Sequence, residues 1–151
     1  MIFMTASPTQ GRQIKPSLLL NYASHIPVYA TSSLYTGDAD AVNNEDLNGI
    51  VFTTLPWIFD NNPEKQSIAQ NSKSSAIYGR LHALGADAFH LYVNLSQLQQ
   101  SPQTRVDGAT GSLQLNSFGR IEREQIWATF KEGIAVPLSI NETTNTPKIG
   151  E

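Results

Sequence analysis

Two short apolar runs in the first third of the chain, residues 28–31 and 50–54, have the composition of buried β-strands. An earlier run, residues 2–6, has the same character, and the Ser7-Pro8 pair after it is typical of a helix start. A strand, a helix and a second strand within about 30 residues form a βαβ unit, with parallel strands and a right-handed crossover. The pattern predicts an α/β fold, with a parallel sheet and flanking helices.

The composition limits the classes of partner and chemistry. The chain has 151 residues, enough for one ordinary domain, and a net charge of −3. Its 10 basic residues are scattered, whereas binding to nucleic acid or to an anionic membrane requires them clustered. The absence of cysteine excludes disulfides, thiolate metal sites and cysteine nucleophiles within this sequence.

The first residues, 1–6, are apolar but carry no basic segment, so they are not a signal peptide. No apolar run approaches the about 18 residues that a transmembrane helix needs. Residues 1–6 are instead predicted to contain a core strand. A core strand with no lead-in suggests that the chain is a piece of a larger protein.

Helical spacing dominates the middle of the chain. We predict a short helix over residues 64–71 and a long one over residues 74–100, where apolar residues recur at i, i+3 and i+4. The predicted apolar stripe consists of Ile77, Leu81, Leu84, Ala88, Leu91, Leu95 and Leu98. Gly85 marks a weak point or a break in the long helix, and Pro16 is expected to kink or split the first helix.

The pattern changes to that of β-strands after residue 105. Turn residues at 108–111 and 116–119, and an alternation of side-chain types over 126–130, indicate a small β-segment that ends near residue 138. Residues 139–151 are polar and poor in apolar side chains, which predicts a disordered tail.

Three motifs carry a resemblance to a known family: D-L-N-G-I-V-F-T-T-L-P-W at residues 46–57, A-L-G-A-D-A at 83–88 and G-A-T-G-S-L at 108–113. The chain resembles the C-terminal domain of the LpoA (LppC) family of penicillin-binding-protein activators. That domain is itself similar to type I periplasmic binding proteins. The resemblance covers residues 1–138 and implies part of a Rossmann-like periplasmic-binding-protein domain with a small C-terminal β-segment.

The resemblance also implies a division into lobes. Residues 1–54 and 105–138 would belong to one lobe, and the helices of residues 58–100 would belong to the other. Leu55 and Pro56 would then form an interlobe hinge of the kind that lets binding proteins close around a ligand.

The function implied by the resemblance is regulatory rather than enzymatic. Members of the family are outer-membrane lipoproteins that face the periplasm, bind a class A penicillin-binding protein and stimulate its peptide cross-linking of peptidoglycan. The lipid anchor would lie outside this chain, and no cofactor is implied. In agreement, the sequence has no G-x-S-x-G elbow, no P-loop and no Ser three residues before a Lys. The alternative is a periplasmic solute-binding module for an amino acid or a small peptide, since a fold does not fix a function.

Five residues are candidates for a cleft. Ser32, Ser33 and Tyr35 follow a predicted strand, where open α/β sheets place ligands, although they equally fit a turn with capped backbone groups. Trp57 would line the cleft wall or anchor the core. Asp87 would present a carboxylate to an amine or cap a helix that resumes at Ala88.

Metal binding is not favoured by the spacing of the titratable residues. The three histidines lack the spacing of zinc motifs, and the acidic loop lacks that of an EF-hand. The loop is predicted to be solvated, or to be a partner surface. The residues concerned are His25, His82, His90, Asp38, Asp40, Glu45 and Asp46.

Overall fold

The computed structural model describes residues 1–61, 63–71, 78–101 and 103–139. These residues divide into two compact units, and the predicted α/β class is confirmed. Unit 1 combines Met1–Tyr35 and Ala39–Thr53 with the described residues from Trp127 onward. Unit 2 combines Thr36–Asp38 with Thr54–Ile126.

Unit 1 is built on a five-stranded sheet with the order β1-β2-β3-β7-β8. Its strands are β1 (Ile2–Met4), β2 (Val28–Ala30), β3 (Val51–Thr54), β7 (Ile126–Lys131) and β8 (Ile134–Pro137). The first three strands run parallel, and β7 pairs with β8 in antiparallel register. The early βαβ pattern therefore forms as predicted, and the last strands of the small β-segment join the same sheet.

Helix α1 (Pro8–Leu20) makes the crossover between β1 and β2. Ser7 and Gln10 form a capping box, in which the Ser7 hydroxyl accepts from the Gln10 N–H and the Gln10 side chain accepts from the Ser7 N–H. Pro16 lies inside the helix, so the predicted split does not occur. A proline removes a single intrahelical hydrogen bond, and the capped start keeps the remaining turns in place.

The core of unit 1 is aromatic at its centre. The rings of Phe52 and Phe130 stack with centroids 5.0 Å apart, and Tyr35 meets Phe52 and Phe130 edge-on at 5.9 and 5.6 Å. The short helix α2 (Ala41–Asn44) and a 3-10 turn, Glu45–Leu47, follow, and the buried Leu47 adds to this core. Residues from both ends of the chain therefore share one core.

Unit 2 combines three helices with a three-stranded antiparallel sheet of order β4-β5-β6. Its elements are α3 (Pro56–Phe59), α4 (Pro63–Asn71), α5 (Gly79–Gln100), β4 (Arg105–Gly108), β5 (Gly111–Leu115) and β6 (Ile121–Glu124). A small apolar cluster joins α3 to α5 and consists of Leu55, Trp57, Ala83 and Ala86. Across the described ranges, no helix is long and apolar enough to cross a membrane.

Helix α5 corrects two predictions. It runs without a break through Gly85, because one glycine costs only about 1 kcal/mol in a helix of this length. Most of the predicted apolar stripe also lies off the buried face: Leu81 and Leu84 are exposed, whereas Ala83 and Ala86 are buried. Leu98, at the end of the stripe, is buried as well. Periodicity shows that a helix has an apolar face, but not that other residues bury that face. Ile77, the first residue of the predicted stripe, lies outside the described residues.

The boundary between the units also differs from the predicted lobes. Residues 105–126 group with unit 2, because β4, β5 and β6 form one sheet and because β4 and β5 pack on α5. Only the strands after Ile126 return to unit 1. The predicted tail, residues 139–151, lies outside the described residues from position 140 onward.

Candidate functional site

The first group of predicted cleft residues lies in unit 1, directly after β2. Ser32 and Ser33 begin a 3-10 turn at the carboxyl end of that strand. The Ser33 hydroxyl lies 2.7 Å from that of Thr31 and donates to the Ala6 carbonyl at 3.2 Å. The turn therefore ties together the chain segments that leave β1 and β2. Open α/β sheets place their ligand crevices outside the carboxyl ends of strands, and both serines occupy this position.

Tyr35 follows the same turn but turns its ring into the aromatic core. Its side chain is largely buried against Phe52 and Phe130. Any contact between Tyr35 and a ligand would therefore involve the phenol oxygen and not the ring face.

Thr54 was missed by the sequence reasoning, although it closes the apolar run of β3. Its Oγ1 atom is buried and has no hydrogen-bond partner within the part of the chain that the structure describes. A buried hydroxyl without a partner is rare in native structures. A hydroxyl residue at the last position of a buried strand was the available signal, because that position lies at the carboxyl end of the sheet.

Trp57 and the two predicted hinge residues lie at the start of a unit 2 segment. Pro56 is the first residue of α3, and Leu55 precedes it in extended conformation. Trp57 is buried in the apolar cluster of unit 2, and its N–H donates to the Ala109 carbonyl at 3.0 Å. Trp57 therefore serves as a core anchor, the structural alternative considered from the sequence. Hinge motion at Leu55 and Pro56 stays a prediction, and the unit boundary between positions 53 and 54 lies beside them.

Asp87 lies in the interior of α5 and is not the N-cap that its sequence position suggested. Its carboxylate accepts hydrogen bonds from the N–H groups of Ala109 at 2.6 Å and Thr110 at 2.8 Å, and a third from the Thr110 hydroxyl. The side chain is only 2% exposed. A carboxylate is stable in such a place only when donors surround it, so Asp87 fixes the β4–β5 turn to α5.

Lys65 closes the end of α3 and was also missed. Its ammonium group donates to the carbonyls of Trp57 at 2.5 Å, Ile58 at 3.1 Å and Asp60 at 2.7 Å. A cation at carbonyls left over by a helix end is favourable. Burial lowers the pKa of Lys65, and the Asp60 carboxylate opposes that shift.

The acidic loop divides into two parts rather than forming one cluster. Asp38 accepts from the Thr36 hydroxyl at 3.0 Å, and Asp40 caps α2 by accepting from Asn43. No group of three or more His, Cys, Asp or Glu side chains gathers anywhere in the described ranges. His90 has one acidic neighbour, with its Nε2 atom 4.0 Å from an oxygen of Glu64.

A groove of about 230 Å³ runs along the second half of α1 in unit 1. Its wall is largely apolar, and two exposed carboxylates, Glu45 and Asp46, stand at one side. The lining residues are Lys15, Pro16, Leu18, Leu19, Ser24, Glu45 and Asp46. Leu19 is 62% exposed, so the apolar wall is accessible, and the charged groups of the lining are the two carboxylates and the ammonium group of Lys15.

Comparison with known proteins gives consistent relationships. The family model described as "LppC putative lipoprotein" matches residues 1–133. The penicillin-binding protein activator LpoA of Haemophilus influenzae is 32% identical over 91% of this chain, and the chain spans 24% of that relative. The solved LpoA C-domain from the same organism, described as a regulator of PBP1A, superposes with a TM-score of 0.76 at 30% identity. The superposition covers 91% of this chain and 44% of that chain.

A structure from Chromobacterium violaceum described as a "putative branched-chain amino acid ABC transporter" is 28% identical, with a TM-score of 0.60. The superposition covers 82% of this chain and 40% of the Chromobacterium violaceum chain. Folds similar to that of this chain thus occur in proteins of two kinds. Because the family model spans nearly all of the described residues, this chain belongs to the LppC family.

Proposed function

We propose that this chain is a non-enzymatic regulatory element of peptidoglycan synthesis, which binds a class A penicillin-binding protein and stimulates its peptide cross-linking. The observation that carries the proposal is the 32% identity to an LpoA activator over 91% of the chain, a span that includes both units. The proposed location is the periplasmic side of the outer membrane, reached through the lipid anchor of a full-length lipoprotein.

The proposed mechanism is a population shift in the synthase. A regulator that binds the cross-linking-competent state more tightly than the resting state raises the fraction of competent molecules. The chain then needs a docking surface but no catalytic group. In agreement, the charged groups of Asp87 and Lys65 form hydrogen bonds with the backbone of unit 2.

The groove along α1 is our candidate for that docking surface. Its apolar wall fits an aliphatic or aromatic side chain, and its two carboxylates, Glu45 and Asp46, outnumber the one cation, Lys15, and fit a lysine or arginine of the partner. The occupant we propose is therefore a segment of the synthase that combines an apolar anchor with a basic residue. Interface anchors of this kind supply most of the binding energy, while charges at the rim set specificity and association rate.

Surface-plasmon binding of this chain to a purified class A penicillin-binding protein tests the proposal, with the complete C-domain of the Haemophilus influenzae relative as positive control. We expect saturable binding that Asp46→Lys weakens about tenfold at low salt, because it opposes a basic partner. Glu132→Lys makes the same charge change on another exposed turn of unit 1 and should leave binding unchanged. Binding by the control but not by this chain would refute the proposal for these residues.

The alternative is a solute-binding module for an amino acid or a small peptide. The similarity to the Chromobacterium violaceum structure favours it, as does the Thr54 hydroxyl at the carboxyl end of β3, which has no hydrogen-bond partner among the described residues. Calorimetric titration with leucine, and with a panel of amino acids and dipeptides, distinguishes the two. Saturable heat that Thr54→Val abolishes would favour the alternative, whereas no heat together with synthase binding would support the regulator.

A further inference from the structure

The hairpin formed by β5 and β6 carries an aromatic ring at its tip. Phe118 lies in the turn of residues 117–119 and is 84% exposed, more than any other phenylalanine in the described ranges. A ring left in water contributes little to the stability of unit 2. Single exposed apolar residues are common on protein surfaces. What distinguishes Phe118 is the rigid turn that holds it and the charge beside it.

The turn that carries Phe118 is held largely by Asn116. The Asn116 Oδ1 atom accepts hydrogen bonds from the N–H groups of Phe118 at 2.9 Å and Arg120 at 3.0 Å. Its Nδ2 atom donates to Glu122 at 2.9 Å, and its carbonyl accepts from the Gly119 N–H at 3.0 Å. Gly119 adopts the left-handed conformation, φ +72°, that closes a three-residue hairpin loop. The tip is therefore fixed before a partner arrives, which lowers the entropic cost of binding.

The charged side chains of the hairpin are unequally engaged. Two cations and two anions lie on its returning side, namely Arg120, Glu122, Arg123 and Glu124. Glu124 forms an ion pair with Arg105 of β4, and Glu122 accepts from Asn116. Neither arginine of the returning side has an ion-pair partner among the residues that the structure describes. Arg120 is exposed and is the only charged residue of positions 115–121, so the accessible charge at the tip is positive.

The tip thus combines an aromatic ring and a guanidinium with Ile121, which is 40% exposed. Aromatic residues and arginine are enriched at the centres of protein interfaces, where they supply much of the binding energy. The complementary surface has an apolar pocket for the ring and a carboxylate at the rim for Arg120. A second copy of the chain is a less suitable occupant, because contact between the hairpin of one copy and another surface of the next does not close and gives an open-ended assembly.

We propose that the tip of the β5–β6 hairpin is a second contact with the class A penicillin-binding protein, in which Phe118 enters an apolar pocket bordered by a carboxylate that pairs with Arg120. This contact rests on the proposed function. It differs chemically from the groove along α1, whose excess of carboxylates requires a basic segment of the synthase. Two contacts of opposite charge fix the orientation of a regulator on its partner, because exchanging them brings like charges together.

Binding kinetics separate the contribution of the ring from that of the charge. In surface-plasmon measurements on a purified class A penicillin-binding protein, Phe118→Ser should raise the dissociation rate at least about tenfold and leave the association rate nearly unchanged. Arg120→Glu should lower the association rate at low salt, and the loss should shrink as salt is added, because salt screens a rim charge. Val42→Ser, at an equally exposed position of unit 1, and Lys131→Glu are the matched controls and should bind as the unchanged chain does.

Thermal unfolding of each variant checks the fold, and it should match that of the unchanged chain because the substituted side chains are exposed. Equal dissociation rates for Phe118→Ser and the unchanged chain would overturn this contact and leave the proposed function in place. Absence of binding by the unchanged chain would refute the proposed function and this contact with it. Self-association of the unchanged chain that Phe118→Ser abolishes, measured by analytical ultracentrifugation without the synthase, would also overturn the contact, since the occupant would then be a second copy.

Discussion

The Asp87 side chain joins two parts of unit 2 that are far apart in the sequence. Asp87 lies in the interior of α5, and its carboxylate accepts hydrogen bonds from the backbone of a turn more than 20 positions away, at Ala109 and Thr110. Gly108 makes room for this contact, because a Cβ atom there would lie 2.6 Å from an Asp87 oxygen. The A-L-G-A-D-A and G-A-T-G-S-L motifs are therefore in contact with each other in the folded chain.

Asp87→Asn should destabilise the chain by about 2–3 kcal/mol, because it replaces a charged acceptor of three hydrogen bonds with an amide that turns an N–H group toward other donors. Urea unfolding followed by fluorescence measures the change. Asp107→Asn, on the exposed side of β4, is the matched control and should change stability little. Equal midpoints for the two variants would contradict the role given to Asp87.

Two glycines with nearly the same backbone conformation allow conformational strain to be separated from steric conflict. Gly133 has φ +71° and Gly119 has φ +72°. A Cβ at Gly133 would lie 1.9 Å from the Ala41 carbonyl oxygen, whereas one at Gly119 would meet nothing within 4 Å. Gly119→Ala should therefore cost about 1–2 kcal/mol, the penalty of a left-handed residue, and Gly133→Ala clearly more. Thermal unfolding of both variants checks this, and comparable losses would show that the turn can move away from Ala41.

Asp40 provides a prediction for pH. The Asn43 side chain and then the Asn43 N–H donate to Asp40 and hold the pKa of its carboxyl below the ordinary 3.8. A carboxyl with a lowered pKa in the folded state stabilises that state above its unfolded pKa. The contribution is lost as pH falls from about 3.8 through the folded value. Asn43→Ala should raise the pKa of Asp40 in an NMR titration, while Val42→Ala, on the same helix, should not move it.

Helix ends and strand positions proved more predictable than helix faces. The Ser7-Pro8 start, the β-run at residues 28–31 and the last strands of the β-segment all depend on local chemistry, and they form where the sequence indicates. The buried face of α5 depends instead on what surrounds the helix, because the same spacing of leucines arises whether they are buried or exposed. Neither Pro16 nor Gly85 ends its helix, so the split and the break that the sequence allowed do not occur. The kink allowed at Pro16 and the weak point allowed at Gly85 stay predictions.

Ser7→Ala tests the capping box of α1. The substitution removes the hydroxyl that accepts from the Gln10 N–H, which should cost about 1 kcal/mol. Ser17→Ala changes the same residue type within the same helix, where the hydroxyl only donates to the Gln13 carbonyl. That control should be neutral or slightly stabilising. The capping assignment is wrong if the two chemical denaturation curves coincide.

The candidate site was predictable as a location but not as a set of contacts. Position after a buried strand correctly placed Ser32 and Ser33 at the carboxyl end of β2. The same rule also points to Thr54, a hydroxyl residue at the final position of β3. Trp57 and Asp87 have their partners in distant parts of the sequence, and no local pattern reveals a carboxylate that reaches the β4–β5 turn.

At the scale of the whole molecule, each unit is assembled from separated stretches of chain. Unit 1 takes its last two strands from residues after 126, although its first three strands end by residue 54. Its core depends on this return, because Phe130 stacks on Phe52 and the Thr129 hydroxyl donates to the Ile50 carbonyl.

Truncation after Ile126 should therefore disrupt unit 1 and spare unit 2. The Gly49 amide, which donates to the Phe130 carbonyl at 3.0 Å, should lose its protection from hydrogen exchange. The Thr110 amide donates to Asp87 within unit 2 and should stay protected. Retained protection at Gly49, or an equal loss of protection at both amides, would contradict the prediction that unit 1 depends on residues after Ile126 and unit 2 does not.

The late return of β7 also orders events during synthesis. Strand β3 leaves the ribosome well before its neighbour, since the Thr129–Ile50 bond spans 79 positions and the Gly133–Asn48 bond spans 85. Closing such distant contacts is slow, and until then the nascent chain carries an open strand edge of the kind that invites aggregation. All of unit 2 after Thr54 is made in this interval, so a holdase that shields β3 in the nascent chain would favour correct folding.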